Sequence, residues 1–392
     1  MKSFKTFIAV PLAIAAALTA AALQAQQLAN RSRESVTFSQ YVDPGSEQRL
    51  ADTAIARESR SFFRKVSGAE LNRGIELVTD ADRAVIQITP LDGVAKGARV
   101  TRREIPKGMT LSNGAQRRSV NDDSIALHRM SQGLRQIMPA FYRRAHAMRV
   151  PADMGHGKLT LHANGNAAAN SRYVVYVLDK HSDTTLQVQA PKTRFSRDGR
   201  LLLDAHAGGR AQIDSISATL VAPGGERYVL GGQMRGNQYR VDWPIRVSDS
   251  GAPGQLWEVE VASRIRSASG ALVERVATVA TDIFQPTADL ASVYSDTRGL
   301  RLDLDIRQPG RYEARALVQG RDRNGDYLPI VLSYSAEWLE AGRREMSVPV
   351  DMARLAASGL DGPYRVQSLQ LLDQSRMAVL DYQRGSWELG AP

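Results

Sequence analysis

Asp322-Arg323-Asn324-Gly325-Asp326 sets three oxygen-bearing side chains, Asp322, Asn324 and Asp326, at alternate positions, as at the start of a calcium-binding loop. Such a loop carries glycine at its sixth position and a bidentate glutamate at its twelfth, whereas here those positions are Tyr327 and Ser333. Asn324-Gly325 is also the dipeptide of a tight hairpin, which accounts for the same residues through backbone geometry. The hairpin is the expectation, and calcium is the alternative. A second constellation is His156 with His181, which a symmetrical hairpin of the intervening strands would bring together near Asp179 and Asp183, a set able to hold a metal. His156 and His162 are excluded as a pair, because six residues of strand separate them by roughly 20 Å. Asp80-Ala81-Asp82 reads as turn chemistry rather than a ligand pair.

Other chemistries lack their signatures. No His is followed by Glu, no Gly-x-Ser occurs, and no Gly-x-x-x-x-Gly-Lys-[Ser/Thr] loop is present, which removes the local motifs of zinc peptidases, nucleophile elbows and nucleotide phosphates. The chain has no cysteine, so thiol nucleophiles, thiolate metal sites, disulfides and a lipidated cysteine are all ruled out. The expectation is a protein that is not an enzyme and needs no cofactor. Its alternative is a hydrolase of envelope polymers whose two carboxylates, drawn from distant segments, meet in the N-terminal domain.

The elements that must position any such site begin after a leader. Met1 to Lys5 hold two lysines and no acid, Phe7 to Leu23 are apolar, and Gln24-Ala25-Gln26 follow, the pattern of a secretory signal peptide spanning residues 1–25. No later stretch is apolar enough for a transmembrane helix, so a periplasmic or secreted product is expected. The remaining length suits three domains, at 26–190, 191–286 and 287–392. Net charge is +10 over the chain, and residues 26–190 carry most of it, with 24 Lys and Arg against 16 Asp and Glu. An exported basic domain points to an envelope protein or an anionic polysaccharide or lipid surface as partner, and not to nucleic acid.

Residues 26–190 are expected to form an α+β domain. Leu50, Ala54, Ile55, Phe62, Phe63 and Val66 can share one face of a helix over Ser46 to Val66. Leu127, Met130, Leu134, Ile137, Phe141 and Ala145 form a helical stripe interrupted at Pro139. Strands are expected around Asp80-Ala81-Asp82, at Lys158 to His162 and at Tyr173 to Leu178. From Pro191 onward the texture is strand only, and each remaining segment has the length and turn spacing of an immunoglobulin-like sandwich. Leu300, Leu302, Leu304 and Ile306 alternate with charged residues, and Tyr312, Ala314, Ala316 and Val318 repeat the pattern. Asp351 is placed to cap a short helical turn, and Tyr364 to tie its hydroxyl to backbone.

Gly362-Pro-Tyr-Arg-Val with Leu371-Leu-Asp-Gln-Ser-Arg-Met, Gly310-Arg-Tyr, and Gly74-Ile-Glu-Leu-Val through Ile88-Thr-Pro resemble an uncharacterised exported family of Gram-negative bacteria. The resemblance implies a mixed N-terminal domain followed by immunoglobulin-like domains, and it carries no catalytic residue. The function expected is that of an exported, non-catalytic binding or structural protein of the cell envelope.

Overall fold

The computed structural model describes residues 33–43, 50, 54–91, 93–94, 100–101, 105–121, 145–247 and 255–390. Strand makes up 62% of the structure and helix 5%. Among the described residues no helix is long and apolar enough to cross a membrane. The chain divides into a larger compact unit, residues 54–195 and 199–282, and a smaller one that includes the described N-terminal residues and 283–390.

The α+β expectation for the first domain is overturned. Among the described residues its one α-helix is the six-residue Gly68–Arg73, and the rest is built on strands in antiparallel sheets. The helix expected over Ser46 to Val66 is replaced, where described, by strands Ile55–Ser59 and Ser61–Ser67. Apolar spacing there fits either periodicity, and pairing with distant strands outweighs a local preference worth only tenths of a kcal/mol per residue, about 0.7 at most for ordinary residues. Residues 122–144, which contain all of the second expected helical stripe except Ala145, lie outside the described residues.

Within the larger unit, one sheet runs His146–Arg149, Val85–Pro90, Arg172–Leu178, Ser61–Ser67, and another runs Ile75–Thr79, Gly157–His162, Thr110–Ser112, Arg117–Ser119. They share a core in which Phe62, Leu77, Ile86, Leu111, Met148 and Val175 are buried. The helix Gly68–Arg73 carries the chain from the first sheet to the second. Ser67 caps it, accepting from the Glu70 amide while the Glu70 carboxylate accepts from the Ser67 amide. Gly68 is required by crowding, since a Cβ there would stand 2.0 Å from the Ala168 carbonyl oxygen.

The strand Ile55–Ser59 does not join these sheets. It pairs with Leu186–Ala190, which pairs with Arg200–Ala207, then Gln238–Pro244 and Gly232–Arg235, so residues before and after 190 share a sheet. A further sheet places Leu272–Phe284, Trp257–Arg266, Gln212–Val221 and Arg227–Leu230 side by side. Inward positions alternate as expected for strands: Leu201, Leu203 and Ala205 in one sheet, Trp257, Val259 and Val261 in the other.

One inward position holds an arginine. Arg275 follows Val273 and precedes Ala277 on the buried face of its strand, and its side chain is fully buried. Its Nε donates to the Thr184 carbonyl at 2.9 Å, Nη1 to the Glu274 carbonyl at 2.8 Å, and Nη2 to Asp179 Oδ2 at 3.1 Å and Ser182 Oγ at 2.9 Å. The same Asp179 oxygen accepts from the Asp80 amide at 2.7 Å. Asp80 in turn accepts from Ser182 Oγ, Thr184 Oγ1 and Ser269 Oγ. Burial drives the Asp179 carboxyl above its usual range and the Arg275 guanidinium below its own. Burial also pushes Asp80 upward, but the hydroxyls of Thr184, Ser267, Ser182 and Ser269 together outweigh it and hold Asp80 below the usual carboxylate range. The cluster ties the Asp80 turn, the 179–184 connection and the strand Leu272–Phe284 together.

The smaller unit faces a five-stranded sheet, in the order Val36–Tyr41, Tyr327–Leu339, Gly310–Arg321, Asp361–Asp373, Ala378–Glu388, against a three-stranded one of Ala288–Asp296, Gly299–Ile306 and Gly342–Pro349. Leu300, Leu302, Leu304 and Ile306 are all buried, as are Tyr312, Ala314, Ala316 and Val318, in agreement with their alternation. Asp351 caps the helix Met352–Ala356 by accepting from the Arg354 amide, and the Tyr364 hydroxyl donates to the Leu360 carbonyl at 3.1 Å. The outermost strand, Val36–Tyr41, comes from the other end of the chain and pairs in register from Val36 with Ala336 to Tyr41 with Val331. Phe38 stacks on Tyr334 with centroids 4.3 Å apart, and Arg311 donates to the Glu34 carbonyl.

Two outcomes follow from these contacts. Phe38→Ala will destabilise the smaller unit by about 1 kcal/mol through loss of the stacked pair, measurable by thermal denaturation. Arg275→Met will cost about 3–5 kcal/mol at neutral pH, because it strands Asp179 without its cation. Asp179 has a raised folded-state pKa, so its stabilising contribution is complete below its unfolded-state value and is lost as pH rises through the folded one. Removing the cation extends that rise, and the deficit of Arg275→Met against the parent in urea denaturation should therefore shrink as pH is brought from neutral toward about 4.

Candidate functional site

A groove of about 620 Å³ crosses four strands of one sheet in the larger unit. Its lining comes from Ala54 to Ala56, Gln189 to Pro191, Leu202 to Asp204 and Arg240 to Asp242. Register explains which side chains meet there. Because Leu201, Leu203 and Ala205 point inward, Arg200, Leu202 and Asp204 point outward, and Tyr239 and Val241 likewise send Arg240 and Asp242 outward. Asp204 stands directly opposite Arg240 and Leu202 opposite Asp242, while Gln189 is flanked by Ala56 and Asp204. The result is a floor of small and apolar groups rimmed by polar ones.

Both carboxylates of the groove are engaged. Arg240 Nε donates to Asp204 Oδ1 at 2.7 Å, and this hydrogen bond is the main reason the Arg240 guanidinium lies above its ordinary pKa. Arg200 pairs with Asp242 and also donates to the Asp242 carbonyl at 3.0 Å. Each carboxylate thus has a guanidinium partner reaching it from the neighbouring strand. The arrangement offers a ligand an apolar floor and a rim of hydrogen-bonding groups.

The residues singled out by sequence lie elsewhere. Asp322, Asn324 and Asp326 form the hairpin turn between Gly310–Arg321 and Tyr327–Leu339. Asp322 Oδ1 accepts from the amides of Asn324 at 2.9 Å and Asp326 at 2.8 Å, its Oδ2 accepts from Asn324 Nδ2 at 3.3 Å, and Gly325 adopts φ +88°. The Asp322 carboxylate thereby closes the turn. His156 pairs with Asp82 at 2.8 Å on the surface. The strand after His156, Gly157–His162, and the strand before His181, Arg172–Leu178, lie in different sheets, so the hairpin expected to bring the two histidines together does not form. Among the described residues no group of three or more His, Asp or Glu side chains converges as a metal site.

Sequence reading missed the groove and the Arg275 cluster. The groove needs the register of strands drawn from three separate stretches, which no local pattern supplies. Arg275 and Asp179 did leave a signal, for each occupies the inward parity of an otherwise apolar alternation: Val273, Arg275, Ala277 in one strand and Tyr173, Val175, Val177, Asp179 along the other.

A search of curated proteins finds no match to the chain. Among solved structures, the chain is similar to a DUF4785 family protein from Legionella pneumophila, with a TM-score of 0.71 and 19% identity over 91% of this chain and 94% of that one. That likeness is one of fold. A tetra-tandem repeat from the extending region of a large adhesion protein aligns at 13% identity, covering 90% of this chain and 81% of that one, with a TM-score of 0.20, too low to support any inference. The model described as the N-terminal domain of the domain of unknown function DUF4785 matches residues 27–179, and the one described as its C-terminal domain matches residues 286–389. Matched by both domain models of one family, the chain belongs to the DUF4785 family.

Proposed function

We propose that the chain is an exported protein of the Gram-negative cell envelope, periplasmic or secreted, that binds a partner without transforming it. The observation that carries this reading is the groove across the sheet of the larger unit, in which Asp204 and Asp242 are each neutralised by an arginine beside an apolar floor. A hydrolase acting through a carboxylate pair needs one acid and one base whose environments push their pKa values apart. In the groove both carboxylates are instead partnered by arginines. The leader pattern of residues 1–25 supports export, and the basic excess of residues 26–190 suits an acidic partner: an envelope protein, an anionic polysaccharide or a lipid surface.

The reading is tested by capture from an envelope fraction with the mature chain, at low and high salt. Leu202→Arg places a charge on the groove floor and is expected to reduce capture at least about tenfold, the equivalent of 1.4 kcal/mol. Val229→Arg, a change at a residue 79% exposed on another sheet, is expected to leave capture intact. Capture that is equal for the parent and Leu202→Arg would remove the groove from the proposal.

A further inference from the structure

Among the described residues, five clusters in the smaller unit bring an arginine to an aromatic ring, and four of them share a design. Arg33 lies over Trp338 and pairs with Glu340, Arg301 over Tyr294 with Glu345, Arg315 over Tyr334 with Glu313, and Arg354 over Tyr41 with Asp351. In each case a carboxylate balances the guanidinium. The fifth departs from this rule. The Arg365 guanidinium carbon lies 3.4 Å from the Tyr327 ring centroid and that of Arg321 lies 5.0 Å from the same centroid, so two cations converge on one ring. Asp361 stands across from Arg321 in register and Glu388 across from Arg365, yet among the described residues no ion pair joins either of them to these arginines.

The sheet places the pair. Arg321 and Tyr327 face each other across the hairpin closed by the Asp322 turn, and Gln319 faces Arg365 on the next strand. Gln319 is 6% exposed, and its Oε1 accepts from both Arg365 Nε, at 3.3 Å, and Nη2, at 3.2 Å. That bond and the ring beneath fix the plane of the Arg365 fork, while Nη1 of Arg365 and the Arg321 guanidinium keep their donors. The ring attracts cations but neutralises neither charge. Two guanidiniums with unspent donors, one of them oriented by Gln319, match the several acceptor oxygens and multiple charge of a phosphate, which fork-shaped donors bind in bidentate fashion. Because Arg365 already covers the ring, stacking of a sugar on Tyr327 is disfavoured.

We propose that Arg321 and Arg365, both at the Tyr327 ring and the latter oriented by Gln319, form a binding site for a phosphate group, either free or displayed on a lipid headgroup. This site is separate from the groove and stands or falls independently of it.

The test uses the mature full-length chain, titrated calorimetrically with inorganic phosphate and pyrophosphate, and floated with phosphatidylcholine vesicles with and without phosphatidylglycerol. Saturable binding of pyrophosphate is expected, weakened roughly tenfold or more in Arg321→Gln and in Arg365→Gln, the scale of one charge-assisted hydrogen bond. Arg365→Lys, which keeps the charge and loses the fork, should bind with intermediate affinity. Arg343→Gln, at a highly exposed arginine paired with Asp305, should bind as the parent does. Flotation only with phosphatidylglycerol, lost in the same two variants, would support the lipid source, and pyrophosphate binding without flotation the free one. The proposal is overturned if phosphate and pyrophosphate do not bind saturably, if Arg321→Gln and Arg365→Gln bind like the parent while melting normally, if Arg343→Gln loses as much as they do, or if glucuronate binds more tightly than pyrophosphate.

Discussion

The larger unit depends on a charge that has no access to water. Arg275 sits where a core residue belongs, and taking a guanidinium out of water costs several kcal/mol unless every donor is met. The chain meets four of the five N–H donors, with two carbonyls, one hydroxyl and one carboxylate from residues 179 to 184 and 274, and the Asp80 segment joins through Asp179, Ser182 and Thr184. Such a cluster is poorly tolerant of displacement, because a shift that loses one bond leaves a buried group unsatisfied. It therefore specifies how these segments are arranged more sharply than apolar contacts alone, which tolerate repacking. Nearby, Arg60 marks the point at which the chain leaves one sheet and enters another, and its Nε donates to the Ser182 carbonyl of the same connection.

Legibility in the sequence followed the range of the interaction. The strand Gly299–Ile306 was readable because one buried face imposes a period of two on neighbouring residues, and Gly310–Arg321 because its apolar residues alternate with polar ones even though Arg311, Glu313 and Gln319 on its other face are buried too. The Asp322 turn, the Asp351 cap and the Tyr364 hydroxyl were readable for a similar reason, since each closes over four residues or fewer. The stretch from Ile55 to Val66 was misread as helix because its pairing partners, Leu186–Ala190 and Arg172–Leu178, lie more than a hundred residues away. Nothing local distinguishes a strand there from a helix with a broad apolar face. The groove was invisible for the same reason, being a property of register across four strands. His156 and His181 illustrate the opposite error, a local hairpin assumed where the two strands belong to separate sheets.

Arginine is used in contrasting ways across the molecule. Buried, as at Arg275, it organises backbone carbonyls. On open sheet faces, as at Arg200 and Arg240, it reaches a carboxylate on the neighbouring strand, a solvent-screened pairing across the sheet. Over Tyr327 it is left with charge in hand. The net positive charge of the chain is thus a poor guide to where a ligand sits, because many described arginines, Arg200 and Arg240 among them, already have a carboxylate close by.

The strand Val36–Tyr41 has a topological consequence. Ser39 bonds to Ser333 across 294 residues, so the larger unit is an insertion within the smaller one. During synthesis the arm emerges first, but the sheet it borders is finished only when the last strands have been made. A loop of that length must close before the ladder gains anything, and although the entropy of closure grows only logarithmically, contacts of this order are the slow ones in folding. The larger unit lies wholly between the arm and the strand it borders, so this ladder can form only after all the intervening residues have been made.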